Sequence, residues 1–291
     1  MLNITNFKKF STLSLPLGKD VVITGKSGTG KTQILWAYLL FFKAFNGKRS
    51  DGTYPSIHLK SEAMTLLDPR FTGIHDYTSF LNKYEKGKGR AEFEANFPDK
   101  NNNLINFKVT LHAGSNFVLT NGSLLLYSNN TIQFAYMKSS YLFTGHKIIP
   151  SRVITSCDNS LRYRYYTLNL ESHDKIHTFM ESTFGTKRVK DSSNDYILFE
   201  VDNVNLDIMF LSVGVQKVFA ALILLYCLIE TPQNDLKYYL MDDIETDLDE
   251  NVVETFYKYL LDICKYNSIN LIVTSRNSNH TFSEDTLLYN L

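Results

Sequence analysis

One eight-residue stretch constrains this chain more than any other. Gly25-Lys26-Ser27-Gly28-Thr29-Gly30-Lys31-Thr32 lies between a β-branched run and an apolar run. It matches G-x-x-x-x-G-K-[ST], the pattern of a phosphate-binding loop. Glycines let the backbone curl so that successive N–H groups converge on phosphate oxygens. The helix that follows adds the positive end of its dipole. Lys31 is placed for the β- and γ-phosphates and Thr32 for Mg²⁺. The context agrees with the motif. Val21-Val22-Ile23-Thr24 reads as a fully buried strand. Gln33 to Phe45 is apolar, free of Gly and Pro, and stops at Asn46-Gly47, as a helix would. The expected cofactors are ATP and Mg²⁺.

Composition narrows the class. The chain has 291 residues, 44% apolar and 21% charged, which suits a globular protein of one large domain or two small ones. Thirty basic residues balance thirty acidic ones, which excludes a polybasic nucleic-acid binder and leaves room for a local basic patch. Cys157, Cys227 and Cys264 are too few and too scattered for a disulfide framework or a thiolate zinc site. They read as reduced thiols of a cytoplasmic protein. The start, Met1-Leu2-Asn3-Ile4, has no signal-peptide pattern. The longest apolar run, Val218 to Ile229, is twelve residues, short of the roughly 20 that a membrane span needs.

The rest of the chain reads as an α/β alternation with an interruption. Ile4–Phe10 and Leu13–Leu17 are expected strands ahead of the loop. Residues 48–103, rich in Gly, Pro and charge, read as an insertion or lid with two short helices. Residues 104–144 read as an antiparallel meander of short alternating runs that includes Ile105–Leu111, Phe117–Thr120, Ser123–Tyr127 and Thr131–Tyr136. A helix is expected over residues 170–185, and a hairpin from Tyr196–Val201 and Asn205–Met209. Leu211 to Gln216 opens a long apolar helix. Lys237–Met241 is a strand, Val252–Lys265 a helix and Leu271–Thr274 a last core strand.

Two further motifs bear chemistry. Tyr238 to Met241 is a buried strand that ends in Asp242-Asp243. With a phosphate-binding loop in the same chain, Asp242 is placed to hold Mg²⁺ and Asp243 to orient or deprotonate an attacking water. Ser212-Val213-Gly214-Val215-Gln216 starts a helix, where hydroxyl and backbone donors can meet a phosphate. The chain's own loop already encloses its phosphates, so this second donor set makes sense if it serves a neighbour's nucleotide.

Together these residues resemble the ABC-class ATPases, in the SMC, RecF and OLD-like branch rather than the transporters. The resemblance spans the chain, thinly between residues 48 and 140. Ile4 to Phe10 looks like that branch's first strand, and Leu211 to Gln216 is similar to its LSGGQ-type signature. Asp242-Asp243-Ile244-Glu245-Thr246-Asp247-Leu248-Asp249 keeps register with its Walker B and D-loop, which puts Asp249 on the D-loop aspartate. Ile148-Ile149-Pro150-Ser151-Arg152 resembles a stretch common in compact members. The resemblance implies two heads that sandwich two ATPs head to tail. Each site would take Gly25–Thr32 and Asp242 from one head, and Ser212, Gly214 and Gln216 from the other. It also puts Lys8 in the nucleotide set and Gln133 in the metal set, as the only placeable Q-loop residue. The family's catalytic glutamate is aspartate here, Asp243, and its switch histidine is Arg276. Lys31, Asp243 and Arg276 form the implied catalytic group. A shortened carboxylate and a fixed positive charge imply slow hydrolysis.

Other constellations read as background. His173 and His177 share a helix face that is expected to be solvated. Lys83 to Arg90 and Arg162-Tyr163-Arg164-Tyr165-Tyr166 mix basic and aromatic residues, which suits either nucleic-acid contact or a solvated loop and an edge strand. The acids at 245, 247, 249 and 250 lack the glycine of a calcium loop.

The expected fold is therefore a single α/β head over residues 1–291: a P-loop core with a mostly parallel sheet plus an antiparallel β subdomain. No heptad pattern supports a coiled coil. The expected activity is an ATPase that dimerises with itself around Mg-ATP. By analogy it would serve DNA maintenance, DNA repair or genome defence, with DNA and an effector such as a nuclease as further partners. Two alternatives stand beside it: a nucleotide-gated switch with little hydrolysis, and a P-loop kinase.

Overall fold

A computed structural model describes residues 1–46, 90–98, 104–112, 117–118, 132–137, 158–189, 196–231, 236–276 and 286–291. Its centre is a five-stranded, wholly parallel sheet. The strands are β3 (Val21–Thr24), β7 (Ile132–Met137), β11 (Leu236–Asp242), β12 (Ile269–Ser275) and β13 (Leu287–Asn290), in the order β13-β3-β12-β11-β7. A second sheet is antiparallel, in the order β2-β1-β4-β5-β6. It comprises β1 (Leu2–Phe7), β2 (Phe10–Leu15), β4 (Arg90–Pro98), β5 (Leu104–His112) and β6 (Phe117–Val118).

Helix α1 (Lys31–Asn46) packs against β7, β11 and β12 on one side and β5 on the other. That position explains its sequence. Ile34, Leu35, Tyr38, Leu39, Phe41, Phe42 and Phe45 are buried around the helix rather than along one stripe. On the far face of the parallel sheet lies α4 (Val213–Ile229), apolar from Val218 onward. It is flanked by α2 (Asp158–Thr167) and α3 (Leu170–Phe184). α5 (Glu250–Tyr266) packs on β12.

The parallel sheet divides the interior into two cores, and strand alternation assigns each residue to one of them. Tyr238 and Leu240 of β11 join the α1 core, whereas Tyr239 and Met241 join the α4 core. In β12, Ile272 faces α1 while Leu271 and Val273 face α4. Strands buried on both faces read as continuous apolar runs, which is why β3 and β11 are visible in the sequence. The third sheet, in the order β10-β9-β8, contains β8 (Lys187–Val189) and the hairpin β9 (Leu198–Val201) and β10 (Val204–Asp207). Asp202 and Asn203 turn this hairpin with φ of 51° and 63°, the left-handed pair that a two-residue hairpin favours.

Several expectations are corrected. Thr131–Tyr136 is not part of the meander: β7 pairs in parallel with β11, Ile132 opposite Leu236. Alternation reports how a strand's faces are covered, not which strand lies beside it. Among the described residues of the expected meander, only β5 and β6 pair antiparallel to each other. Arg90–Pro98 was expected within the insertion, but it forms β4, between β1 and β5. The two short helices expected before it, Ser123–Tyr127 and Ile148–Arg152, lie outside the described residues, as do Lys83 to Gly89. A further strand the sequence reading did not include, β13, follows Leu271–Thr274 and pairs with β3 as a largely exposed edge.

Arg162 to Tyr166 lies in helix α2 rather than in a loop or edge strand. Arg162 is fully buried and donates to both carboxylate oxygens of Asp207, at 3.0 and 2.7 Å, so its charge is not offered to a nucleic acid. His173 and His177 are buried too, against Tyr165, whose hydroxyl lies 2.7 Å from His177 Nε2. Burial, with help from Arg188 and His173, pushes His177 down to about 3 and keeps it neutral. Among the described residues no helix is long and apolar enough to cross a membrane.

The buried Arg162–Asp207 pair gives a stability test. Asp207 also accepts from the N–H groups of Ile197 and Met209. Asp207→Ala would strand a buried guanidinium and is expected to cost about 3–5 kcal/mol in chemical denaturation. A loss below about 1 kcal/mol would contradict that accounting.

Candidate functional site

The site forms at the C-terminal ends of β3, β11 and β12. β3 runs into the glycine loop, and α1 begins at Lys31. Gly30 has a φ of 103°, and a Cβ there would meet the Lys9 side chain at 2.5 Å. The positive φ is what calls for glycine here, since the flexible Lys9 tip could move aside. Thr29 closes the loop by donating from its N–H (3.2 Å) and its hydroxyl (2.8 Å) to the Lys26 carbonyl. Lys31 Nζ donates to the carbonyls of Gly25, at 2.6 Å, and Lys26, at 3.3 Å, so its charge lies across the loop. Lys26, Ser27 and Gly28 form its exposed rim.

The lysine against this loop is Lys9. Lys8, the sequence candidate, instead sets its ammonium 5.1 Å from the centre of the Trp36 ring on α1. The cause is local. Asn6 and Lys8 both take left-handed φ, 56° and 53°, which breaks the alternation at the end of β1 and turns the Lys9 side chain toward Gly30. No sequence pattern announces that turn.

Asp242, at the end of β11, is 5% exposed and is held from two sides. The Thr32 hydroxyl reaches its two oxygens at 3.1 and 3.0 Å, and the Thr274 hydroxyl donates to Oδ1 at 2.8 Å. Burial pushes the Asp242 carboxyl above its ordinary range and Asp243 adds to the effect. The bonds from Thr274 and Thr32 and the charge of Lys31 oppose it. A hydroxyl and a carboxylate side by side are hard oxygen donors and fit Mg²⁺, which takes few protein ligands and completes its shell with water and phosphate. The described residues contain no cluster of three His, Cys, Asp or Glu, so a protein-caged transition metal has no support there. Gln133 does not complete this set. It stands in register with Lys237, five residues before Asp242 along β11. At about 3.3 Å per residue that is about 16 Å away, toward the opposite end of the sheet.

Asp243 adopts a left-handed φ of 47°, uncommon for a residue with a side chain. Its N–H donates to Thr274 Oγ1 at 2.9 Å. Its Oδ2 accepts from Arg276 Nη2 in a close ion pair, while Oδ1 is buried with no partner. The two unusual candidates of the sequence therefore meet. Arg276 N–H also donates to Glu245 Oε2 at 3.2 Å, and the Tyr257 hydroxyl to Glu245 Oε1 at 3.0 Å.

Ser212 caps α4, its hydroxyl accepting from Val215 N–H at 3.5 Å, and it is exposed. Phe210 and Val213 beside it are 66% and 37% exposed, an apolar rim around the cap. Gly214 is buried against the loop after β11, where a Cβ would lie 2.3 Å from the Asp247 carbonyl oxygen. Gln216 departs from expectation. It is buried, and its amide donates to the carbonyls of Met209 (3.1 Å) and Leu211 (2.8 Å), so it braces the turn before α4 instead of facing a nucleotide. Asp249 is exposed just before α5 and makes no capping bond with its side chain.

No protein-family model matches the sequence, and no curated protein matches it. Solved structures do match in fold. An SMC head domain from Thermotoga maritima superposes with a TM-score of 0.50 at 16% identity, covering 95% of this chain and 88% of that one. An Smc head domain from Pyrococcus furiosus, with an extended coiled coil and bound to the C-terminal domain of ScpA, gives 0.50 at 13% identity, covering 95% and 89%. The recombination mediator protein RecF with ATP gives 0.51 at 12% identity, covering 96% and 93%. The chain therefore has the SMC/RecF-like α/β fold, a mostly parallel sheet with antiparallel sheets and helices around it.

Asp242 gives a test of the site's electrostatics. Its folded pKa is raised, so its charge costs stability at neutral pH. That cost disappears as pH falls from the raised pKa to the ordinary value of 3.8. Asp242→Asn is expected to melt higher than the parent at pH 7 in calorimetry, with the gap closing on acidification, and to lose Mg²⁺-dependent nucleotide binding. A variant that melts lower at pH 7 would contradict the assignment.

Proposed function

We propose that this chain, built on the SMC/RecF-type head fold, is an ATPase of ABC type whose two copies enclose two Mg-ATP head to tail. Each composite site takes Gly25–Thr32, Asp242 and Asp243 from one copy, and Ser212 and Gly214 from the other. The observation that carries this reading is the meeting of the Thr32 hydroxyl with the Asp242 carboxylate at 3.0–3.1 Å, beside Lys31. A glycine loop that served only as a turn would not aim a buried carboxylate at its last hydroxyl.

Bound Mg-ATP supplies a divalent charge on the phosphate oxygens and an electrophilic γ-phosphorus. The chain's residues do the rest. Loop N–H groups and the α1 dipole bind the phosphates, and Lys31 adds a positive charge. Lys9 adds a second cation at Gly30. Thr32 and Asp242 hold the metal. Asp243 orients the attacking water and accepts its proton through Oδ1, the oxygen without a partner. Ser212 presents its hydroxyl and the α4 N-terminus to the neighbour's nucleotide.

Hydrolysis is slow on this reading. The Asp243 carboxylate is one methylene shorter than a glutamate, and Arg276 engages its other oxygen. A displacement of about 1 Å can reduce rate on the order of 100-fold. The same ion pair favours a second reading, a nucleotide-gated switch that closes on ATP, hydrolyses little and recruits an effector such as a nuclease. RecF is described as a recombination mediator. By extension we place this chain in DNA maintenance or genome defence, with DNA as a candidate partner.

Light scattering with Mg-ATP tests the proposal. The 33.5 kDa chain is expected to double in mass only with nucleotide, and Lys31→Ala to stay monomeric. Asp243→Asn should hold the dimer longer while turnover falls at least tenfold. Dimers with negligible turnover in the parent would select the switch reading. A monomer with ATP demonstrably bound would sink both.

A further inference from the structure

Outside the motifs, α4 carries a lysine where its pattern calls for an apolar residue. Lys217 is 3% exposed, and burial of a cation is costly unless it is paired and hydrogen-bonded. Its Nζ donates to the Thr246 carbonyl at 3.0 Å and to Asp247 Oδ2 at 2.7 Å. One turn earlier on the same helix face, Gly214 lets the backbone of Asp247 approach α4 directly. Helix and loop are thus stapled together at two points.

The stapled loop is strained. Asp243 and Asp247 both take left-handed conformations, with φ of 47° and 77°, which a chain with side chains holds only when its surroundings impose them. Thr246 Oγ1 and Asp243 Oδ1 are buried without partners. Within seven residues this loop carries Asp243 at its start and Asp249 at its end. The helix stapled to it carries Ser212 at its exposed tip.

We propose that Lys217 is a positioning residue that couples the two halves of the composite site. By fixing the loop on α4, it makes the acid that serves this copy's nucleotide and the serine that serves the neighbour's nucleotide move as one body. The inference rests on the head-to-tail reading above and adds a residue to it. Lys217 touches neither nucleotide, so its removal separates two quantities that a general loss of fold would lower together. Nucleotide capture by a single copy depends on Gly25–Thr32 and survives, whereas closure of two copies requires loop and helix in register and fails.

The test uses the full chain and four variants: Lys217→Met, Lys217→Arg, Asp247→Asn and the Met/Asn double variant. A fluorescent ATP analogue at low protein concentration reads capture, and sedimentation with Mg-ATP reads self-association. Lys217→Met is expected to bind nucleotide within about twofold of the parent and to associate at least tenfold more weakly, in the range of ordinary site-to-site coupling. Lys217→Arg should restore association to within a few-fold. The double variant should be no worse than Lys217→Met, since Asp247 acts on α4 through Lys217. Parent-like association of Lys217→Met, additive effects, or a parallel loss of capture and closure would each overturn the proposal. If Lys217→Met does not fold, Asp247→Asn with unchanged association overturns it alone. A parent chain that captures ATP and never associates overturns the head-to-tail reading, and this inference falls with it.

Discussion

A buried carboxylate held by two threonines organises this molecule. Asp242 sits at the end of a central strand, where burial makes its charge costly. Thr32 from the first turn of α1 and Thr274 from β12 both donate to it. This chain of bonds ties the glycine loop, β11 and β12 into one corner. The charge earns no stability for the resting fold, so its presence there points to a ligand of opposite charge. The hard oxygen donors around it fit the Mg²⁺ proposed above.

The rest of the architecture serves this corner. All five strands of the central sheet run in parallel, so their C-terminal ends open on one edge, where α/β sheets place ligands. The α1 core fixes the glycine loop from one face. The α4 core fixes the exposed Ser212 cap from the other. The loop after β11 joins the two, strained at Asp243 and Asp247 and held on α4 by Lys217 and Gly214. One chain thus carries both a glycine loop and an outward-facing serine cap, and the strained loop lies between them.

What the sequence discloses follows from what each signal measures. β3, β11 and α4 are buried on both faces, so continuous apolar runs reveal them. The glycine loop is a chemical pattern and reveals itself. β7 and β13 were harder. β7 alternates as a meander strand would, and β13 carries exposed Leu287 and Leu288, so neither run names its neighbour. Arg162 reads as a nucleic-acid contact or an edge strand, and His173 and His177 as solvated, because their partners, Asp207 and Tyr165, are assembled only by the fold. The step from Lys8 to Lys9 hangs on two left-handed residues, Asn6 and Lys8. Gln216 turned inward, and Lys217 beside it, which no motif singles out, forms the staple.

The central claim is that each catalytic site is shared between two copies, and a mixing experiment tests it most directly. Lys31→Ala removes the loop's cation, and Ser212→Arg blocks the serine cap. Neither variant alone should associate or turn over ATP. Mixed, they form a pair with one damaged site and one intact site, built from the loop of the second variant and the cap of the first. The account predicts that the mixture recovers ATP-dependent association, read by fluorescence transfer between labelled copies, together with part of the parent turnover. A mixture as inert as its components would contradict a shared site, and full activity of Ser212→Arg by itself would show that each head works alone.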